Sequence, residues 1–329
     1  MSDSSSERGS AQLQPPVSSS NGKGGVNVYS DERFVASESN SLFHKVYFEL
    51  RWMLNLNRGG RNFKVFPDDR FLVSYPRSGN TWTRFLIAHL LFPDRDITFL
   101  NIDYLVPDVL NLTRRELNRV PRPRLIKSHE YFDPRYKKVI YIVRDPRDVV
   151  VSHYFFHLKE GFFSDSYPME KFVQRWVAGD VDPFFASWGE NVTSWIATRA
   201  HGPDFLLLRY EDMKANPAGE LAKVGDFLKI PHDQAALEKA VQLSTADRMR
   251  KLEDQQQKDW IGTRKKRKDV RYVRGASVGG WQSTLSERDV ATIERAWAPV
   301  MRFLGYQPVS RPGDDNTALS ALLTDPLVR

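Results

Sequence analysis

The sequence predicts an α/β fold, a single three-layer domain in which helices cover both faces of a mainly parallel central sheet. Two observations predict it. Short segments that are apolar throughout recur along the chain, and segments with helical spacing separate them. Continuously apolar strands belong to sheets that are buried on both faces, and such sheets are mostly parallel.

Four segments have the composition of buried strands: Arg70–Tyr75, Arg124–Lys127, Lys138–Val143 and Phe205–Tyr210. The third is the strongest prediction, because most of its residues are β-branched or aromatic. Proline and glycine follow the first, which is typical of a strand that ends in a turn.

Helices are predicted after these strands. The first spans Thr81–Phe92. The second runs from Pro146 to about Lys159, since Asp145 is an N-cap type and proline occupies the first helical position. Apolar side chains at i, i+4, i+7 and i+8 from Trp188 form one helix face. A final amphipathic helix spans Ser286–Leu304, with the serine as its cap.

Composition excludes several protein classes. The chain has 329 residues, with 48 lysines and arginines against 41 acidic residues, so the formal net charge is +7. It contains no cysteine, which excludes disulfide frameworks, cysteine-ligated metals and a thiol nucleophile. The longest apolar run, Phe85–Phe92, is far shorter than the ~20 residues of a membrane-spanning helix. The first residues lack the apolar core of a signal peptide, so we expect a cytoplasmic protein without stable membrane insertion.

Three regions are predicted along the chain. Residues 1–41 are rich in serine and glycine, and we expect a disordered tail because they cannot bury enough apolar surface to offset the entropy of ordering. Residues 42–308 are expected to form one domain, although the length also allows two. Residues 309–329 are expected to form a second tail, whose apolar stretch 318–323 could dock onto the domain.

Polar residues follow the predicted strands, at the edge where open parallel sheets bind ligands. After the first strand, Tyr75–Trp82 combines a tight turn with hydroxyl and amide side chains at the start of a helix. Its backbone N–H groups, the helix N-terminus and Arg77 would attract an anion. The segment is not a Walker A loop, since the second glycine and the lysine are absent. The alternative is an ordinary turn with a surface arginine.

The other strand ends carry related chemistry. Lys127 and His129 place a cation and a titratable imidazole after the second strand, where a general base would be useful, although a lone histidine is more often structural. Arg144 and Ser152 flank the start of the next helix and could converge on one anion. Tyr210 ends the fourth strand.

A basic segment lies nearer the C-terminus. Arg264–Lys268 consists of basic residues only, and such runs usually form solvated loops, with nucleic-acid binding as the alternative. The glycine-rich stretch Arg274–Trp281 is expected to form a flexible flap that offers Arg274 and backbone N–H groups to a phosphate.

These segments, in this order, resemble the cytosolic type of PAPS-dependent sulfotransferases (PAPS is 3′-phosphoadenosine 5′-phosphosulfate). The likeness extends from about Phe71 to Trp281. Tyr75–Trp82 is similar to the family's Tyr-Pro-Lys-Ser-Gly-Thr-x-Trp, which implies a P-loop-like loop that binds the phosphosulfate. The resemblance further implies sulfuryl transfer from PAPS to a hydroxyl or amine of a small acceptor, with His129 as general base and without a metal.

The resemblance also assigns roles to individual residues. The implied catalytic residues are His129, Arg77 and Lys127. The implied donor-binding residues are Arg77, Ser78, Gly79, Asn80, Thr81, Trp82, Arg144, Ser152, Tyr210, Ser244, Arg274 and Gly275.

The chain departs from the family pattern at several points. Arg77 replaces the lysine that assists the leaving oxygen, and arginine keeps the charge but cannot give up a proton. Gly275 and Ala276 replace Lys-Gly, which removes one cation. Ala246 stands where an aromatic residue often covers the adenine. The family's C-terminal dimerisation pattern is not kept after Trp281, which leaves the oligomeric state open.

Two other functions fit parts of the sequence. A P-loop-type nucleotide kinase or phosphotransferase would need a Walker lysine and a Mg²⁺ carboxylate, and neither is evident; no metal-ligand cluster is visible. A nucleic-acid binder would use the basic residues 264–274 and leave the strand-end residues unexplained, so no nucleic-acid partner is expected.

The acceptor is predicted only as a class. Tyr104–Leu112, Phe155–Tyr167 and the loop before Trp281 would shape its site. Aromatic side chains in and near these segments favour an apolar or phenolic acceptor, unless they are ordinary core residues. They are Phe132, Tyr154, Phe155, Phe156, Phe162, Phe163 and Tyr167.

Overall fold

The computed structural model of the chain describes residues 53–54, 59–275 and 277–310. The predicted tail 1–41, the stretch 318–323 and Ala276 lie outside the described residues.

Four parallel strands form the sheet, in the order β2-β1-β3-β4. They are β1 (Arg70–Ser74), β2 (Leu125–Ser128), β3 (Lys138–Val143) and β4 (Phe205–Arg209). Phe71 of β1 is in register with Ile126 of β2 on one side and with Val139 of β3 on the other. The predicted parallel sheet is therefore confirmed.

Helices connect and cover these strands. Within the described ranges they are α1 (Asn80–Leu91), α2 (Ile102–Leu105), α3 (Arg114–Arg119), α4 (Pro146–Glu160), α5 (Met169–Val177), α6 (Trp188–Arg199), α7 (Tyr210–Ala215), α8 (Pro217–Leu228), α9 (Gln234–Leu243), α10 (Ala246–Gln256) and α11 (Glu287–Phe303). None of them is long and apolar enough to cross a membrane.

Two apolar cores lie on opposite faces of the sheet, because successive strand residues point in opposite directions. Phe71 and Val73 pack into a core with α4, α5, α6 and α11, whereas Leu72 packs into a core with α1, α8 and α9. The three predicted layers are thus present.

Local sequence signals explain most helix boundaries. Asp145 caps α4 by accepting the N–H of Arg147 at 2.9 Å, and Ser286 caps α11 in a reciprocal pair with Asp289. The prediction that Tyr210 ends the fourth strand is wrong, since it is the first residue of α7. Acidic residues follow it and favour the start of a helix there.

Candidate active site

A cavity of about 570 Å³ opens at the carboxyl edge of the sheet. Its walls come from the ends of β1, β2 and β3, the starts of α1 and α4, and segments between residues 241 and 284. Except for Ser78, every residue that the sequence predicted for the site lines this cavity. Ser78 is fully buried within the loop after β1.

The loop after β1 depends on a glycine. Gly79 has a φ of 97°, in the left-handed region that residues with a side chain rarely adopt. A Cβ atom at this position would lie 2.4 Å from Cδ2 of Tyr210. Glycine therefore lets the loop approach the aromatic wall and present the first turn of α1 to the cavity.

Arg77 bridges the loop, α4 and the segment before the glycine-rich flap. Its Nε donates to Oγ of Ser152 at 3.2 Å, and its Nη2 donates to the carbonyl of Tyr272 at 3.2 Å. The guanidinium carbon lies 4.9 Å from the ring centre of Phe156 and 4.8 Å from that of Tyr272. Two aromatic faces therefore hold the cation at the cavity wall.

Arg144 and Arg274 bring two further cations to the same wall. Arg144 donates to the carbonyl of Ser277 at 3.0 Å and stacks on Tyr210, with 4.4 Å to the ring centre. Arg274 stacks on Phe155 at 3.6 Å. Burial and the charges of Arg77 and Arg144 lower the pKa of Arg274 to about 10. The mutual repulsion of three arginines favours an anion between them.

Trp82 and Tyr210 form an aromatic corner of the cavity. Their ring centres are 5.9 Å apart with the planes at 75°. The indole N–H of Trp82 donates to the carbonyl of Ser244 at 3.0 Å, which fixes the ring.

His129 is held in one tautomer. Its Nδ1 lies 2.7 Å from the carbonyl oxygen of Ser74, which can only accept, so Nδ1 carries the proton. The other nitrogen, Nε2, is left with a free electron pair. Burial, together with the charge of Lys127, lowers the pKa of His129 to about 3. The imidazole is therefore neutral at pH 7.

Lys127 is paired with Asp108, which was not among the predicted site residues. Its Nζ lies 3.0 Å from Oδ2 of Asp108, and both side chains are buried. Asp108 falls within the predicted acceptor segment, but no motif marked it as a partner of the lysine.

The basic segment is only partly solvated, so that prediction is wrong for Lys266. Lys266 lines the cavity, and its Nζ forms an ion pair with Glu160 at the end of α4. Arg264 and Lys265 are exposed as predicted. This difference in exposure within one basic run leaves no signal in the sequence, because charge alone does not show which side chain points inward.

Of the seven aromatic residues that favoured an apolar acceptor, Phe156 lines the cavity and the other six do not. Tyr154, Phe163 and Tyr167 pack on one another next to α5. Most of this aromatic content is therefore core.

The sequence showed no metal-ligand cluster, yet His153, His157 and Asp182 place nitrogen and carboxylate ligand atoms within 4.8 Å of one another. The indole N–H of Trp176 donates to Nδ1 of His153 at 3.0 Å, so Nε2 carries the proton and faces Asp182 at 2.7 Å. A metal at Nε2 would need Nδ1 to be the donor instead. This tautomer favours a buried histidine–aspartate pair.

The family profile described as "Sulfotransferase domain" matches residues 67–305. The chain belongs to the sulfotransferase family. It is 30% identical over 204 residues to sulfotransferase 1B1 of Canis lupus familiaris, covering 57% of this chain and 68% of that protein. It is 28% identical over 236 residues to sulfotransferase 1E1 of Bos taurus, covering 67% of this chain and 79% of that protein.

Solved structures agree with this membership. Mouse sulfotransferase SULT7A1 in complex with PAP superposes with a TM-score of 0.58 at 25% identity, covering 73% of this chain and 86% of that one. Retinol dehydratase, solved with androsterone and inactive cofactor PAP, has the same fold, with a TM-score of 0.58 at 20% identity over 77% of this chain and 85% of that one. The protein is therefore a PAPS-dependent sulfotransferase, and the kinase alternative is not favoured.

Proposed function

We propose that this sulfotransferase transfers the sulfuryl group of PAPS to a hydroxyl or amine of a small acceptor, with His129 as the general base. One observation carries the assignment of the base. The bond between Nδ1 of His129 and the carbonyl of Ser74 leaves Nε2 unprotonated in a cavity that also holds Lys127. A positioned, neutral imidazole with a free electron pair on Nε2 can take the acceptor proton.

The residues of the cavity fit the donor. Within residues 59–275 and 277–310, the buried Oγ atoms of Ser78 and Ser244 and Nε of Arg144 have no hydrogen-bond partner, which suits a ligand rich in acceptor oxygens. The loop from Arg77 to Thr81 would hold the phosphosulfate. Trp82, Tyr210 and Ser244 would hold the adenine, and Arg144, Ser152, Arg274 and Gly275 would hold the 3′-phosphate.

PAPS supplies an activated sulfuryl group with a phosphate leaving group. His129 removes the proton of the acceptor. Lys127 and Arg77 donate hydrogen bonds to oxygens that gain negative charge during transfer. Arg77 stabilises this charge without giving up a proton, since its guanidinium stays charged.

The acceptor is proposed to be a small organic molecule, and an apolar or phenolic one remains our more specific proposal. Phe156 and Leu110 supply apolar surface to the cavity, while Asn111 and Asp108 supply polar groups. A ring that lies against Phe156 and carries one reactive hydroxyl fits this mixed wall. Transfer without a metal and a cytoplasmic location remain predictions.

Thermal-shift and transfer assays test the function. PAP should raise the melting temperature, whereas ATP with Mg²⁺ should not, because the cavity is expected to recognise a 3′-phosphate. Labelled PAPS with a panel of phenols, alcohols and amines, with and without EDTA, should yield a sulfated product in both conditions. Stabilisation by ATP with Mg²⁺ alone would contradict the proposal, and loss of product with EDTA would contradict its metal-free part.

A further inference from the structure

Asp108 and Lys127 form a buried ion pair inside the cavity. Oδ2 of Asp108 lies 3.0 Å from Nζ of Lys127, with side-chain exposures of 7% and 8%. A buried lysine without a carboxylate partner would lose its proton or its place in the cavity, because desolvation disfavours the charged form. Asp108 is thus the group that stabilises the charged form of Lys127 in this buried position.

Backbone hydrogen bonds fix the pair in register. The N–H of Lys127 donates to the carbonyl of Pro107 at 2.7 Å, and its carbonyl accepts the N–H of Val109 at 3.3 Å. Asp108 lies between these two residues and forms an isolated parallel bridge with Lys127. The carboxylate is therefore tied to the lysine through the main chain as well as through the ion pair.

Charged side chains of the neighbouring helices α1 and α2 also lie near Lys127. Arg84 of α1 lies 3.8 Å from Oδ2 of Asp108 and 2.8 Å from Oδ1 of Asp103 in α2. His129, two residues beyond Lys127, is neutral at pH 7 because of its lowered pKa. Two cations thus face two carboxylates, and Asp108 is the carboxylate in contact with Lys127.

We propose that Asp108 is a positioning residue for sulfuryl transfer: it keeps Lys127 charged and aimed at the reacting group. The inference rests on the proposed role of Lys127. An ammonium group has three N–H donors, so Lys127 can remain bonded to Asp108 while it donates to oxygens of the donor. Burial lowers the pKa of Lys127, and the charge of Asp108 opposes that change. Removing the carboxylate would lower this pKa further.

The pH profile of kcat tests the proposal in the full chain with PAPS and any acceptor found active. Asp108→Asn, which keeps the size of the side chain, should lower kcat by ~10- to 100-fold with little change in KM for PAPS. Since the rate needs protonated Lys127, it falls as pH rises through the lysine's pKa. The basic limb should therefore move to lower pH by about one pH unit or more. An unmoved basic limb would overturn the proposal.

Two further variants show whether the effect comes from the carboxylate at position 108 or from a disrupted fold. Asp103→Asn removes the other carboxylate beside Arg84 and should leave the basic limb within a few tenths of a pH unit. Asp108→Glu keeps the charge and should retain the basic limb with a lower kcat. A shift of the limb in Asp103→Asn, or in Asp108→Glu, would contradict the assignment, even if Asp108→Asn does not fold.

Lys127→Met distinguishes failure of the inference from failure of the proposed function. If this variant keeps full activity, the proposed role of Lys127 fails, and the inference about Asp108 fails with it. If it loses activity while Asp108→Asn does not, only the inference is wrong. In the Lys127→Met background, Asp108→Asn should cause no further loss.

Discussion

The two ends of the cavity balance charge in opposite ways. At the proposed donor end, Arg77, Arg144 and Arg274 approach one another, and Arg77 and Arg144 both donate to backbone carbonyls. At the proposed catalytic end, Arg84 and Lys127 are matched by Asp103 and Asp108. One end therefore attracts anions, while the other holds charges in place with little net charge.

The difference suits two substrates of different charge. An uncompensated cluster of arginines gains electrostatic energy when an anion enters and loses the repulsion among the cations. A balanced network makes no such gain, but it fixes the direction of each donor in advance, which is what stabilises charge that develops only during reaction. Asp148 lies 3.8 Å from Arg144, yet its carboxylate also accepts the N–H groups of Gly279 and Trp281, which leaves it a weak counterion.

The largest expected effect is at the catalytic end. His129→Ala should lower kcat by ~10²–10⁴-fold, because it removes the base that accepts the acceptor proton. The dissociation constant of PAP, measured by calorimetry, should stay within a few-fold of the wild-type value, since the donor is held at the other end. Full activity would remove His129 from the mechanism, and loss of PAP binding would break the separation of the two ends.

A smaller effect is expected at the donor end. Arg144→Ala should weaken PAP binding about 10- to 100-fold, which corresponds to the ~1.5–3 kcal/mol of a charge-assisted hydrogen bond. Lys265→Ala serves as a matched control, since it removes one exposed cation and should leave the PAP affinity unchanged. Equal losses in both variants would mean that total charge, rather than the arginine cluster, binds the donor.

The smallest effect is expected at Lys266, whose charge is already paired with that of Glu160. Lys266→Ala leaves the buried side chain of Glu160 without its cation. Burial raises the pKa of Glu160, so this carboxylate can take up a proton, and we expect the free energy of unfolding to fall by only about 1–2 kcal/mol. Chemical denaturation measures the change, with Lys265→Ala as the control. An equal, negligible effect in both variants would show that the whole basic segment is solvated.

Strand composition predicted the sheet well, because buried parallel strands need apolar side chains on both faces. Lys138–Val143 has the predicted bounds. The first and fourth strands each end one residue earlier than predicted, and the second is shifted by one residue at both ends. The strand-end positions of Arg77, Lys127, His129 and Arg144 then followed from topology, since parallel strands end at one edge.

Pairings between distant segments could not be predicted in the same way. Lys127 and Asp108 belong to different segments of the chain, and the backbone bridge and the ion pair that make them partners form only in the folded structure. Five of the six aromatic residues outside the cavity wall pack against a core. Core and ligand-binding walls have similar aromatic composition, so only packing shows where these side chains point.

The sequence by itself determined the layered α/β fold and the set of side chains at the carboxyl edge, because hydrophobic periodicity and the residues that follow each strand are local properties of the chain. Tertiary structure alone decided which charges are balanced, which histidine nitrogen is free, and which lysine of the basic segment enters the cavity. Those properties depend on burial and on distances between residues remote in sequence, and both arise only when the layers pack together.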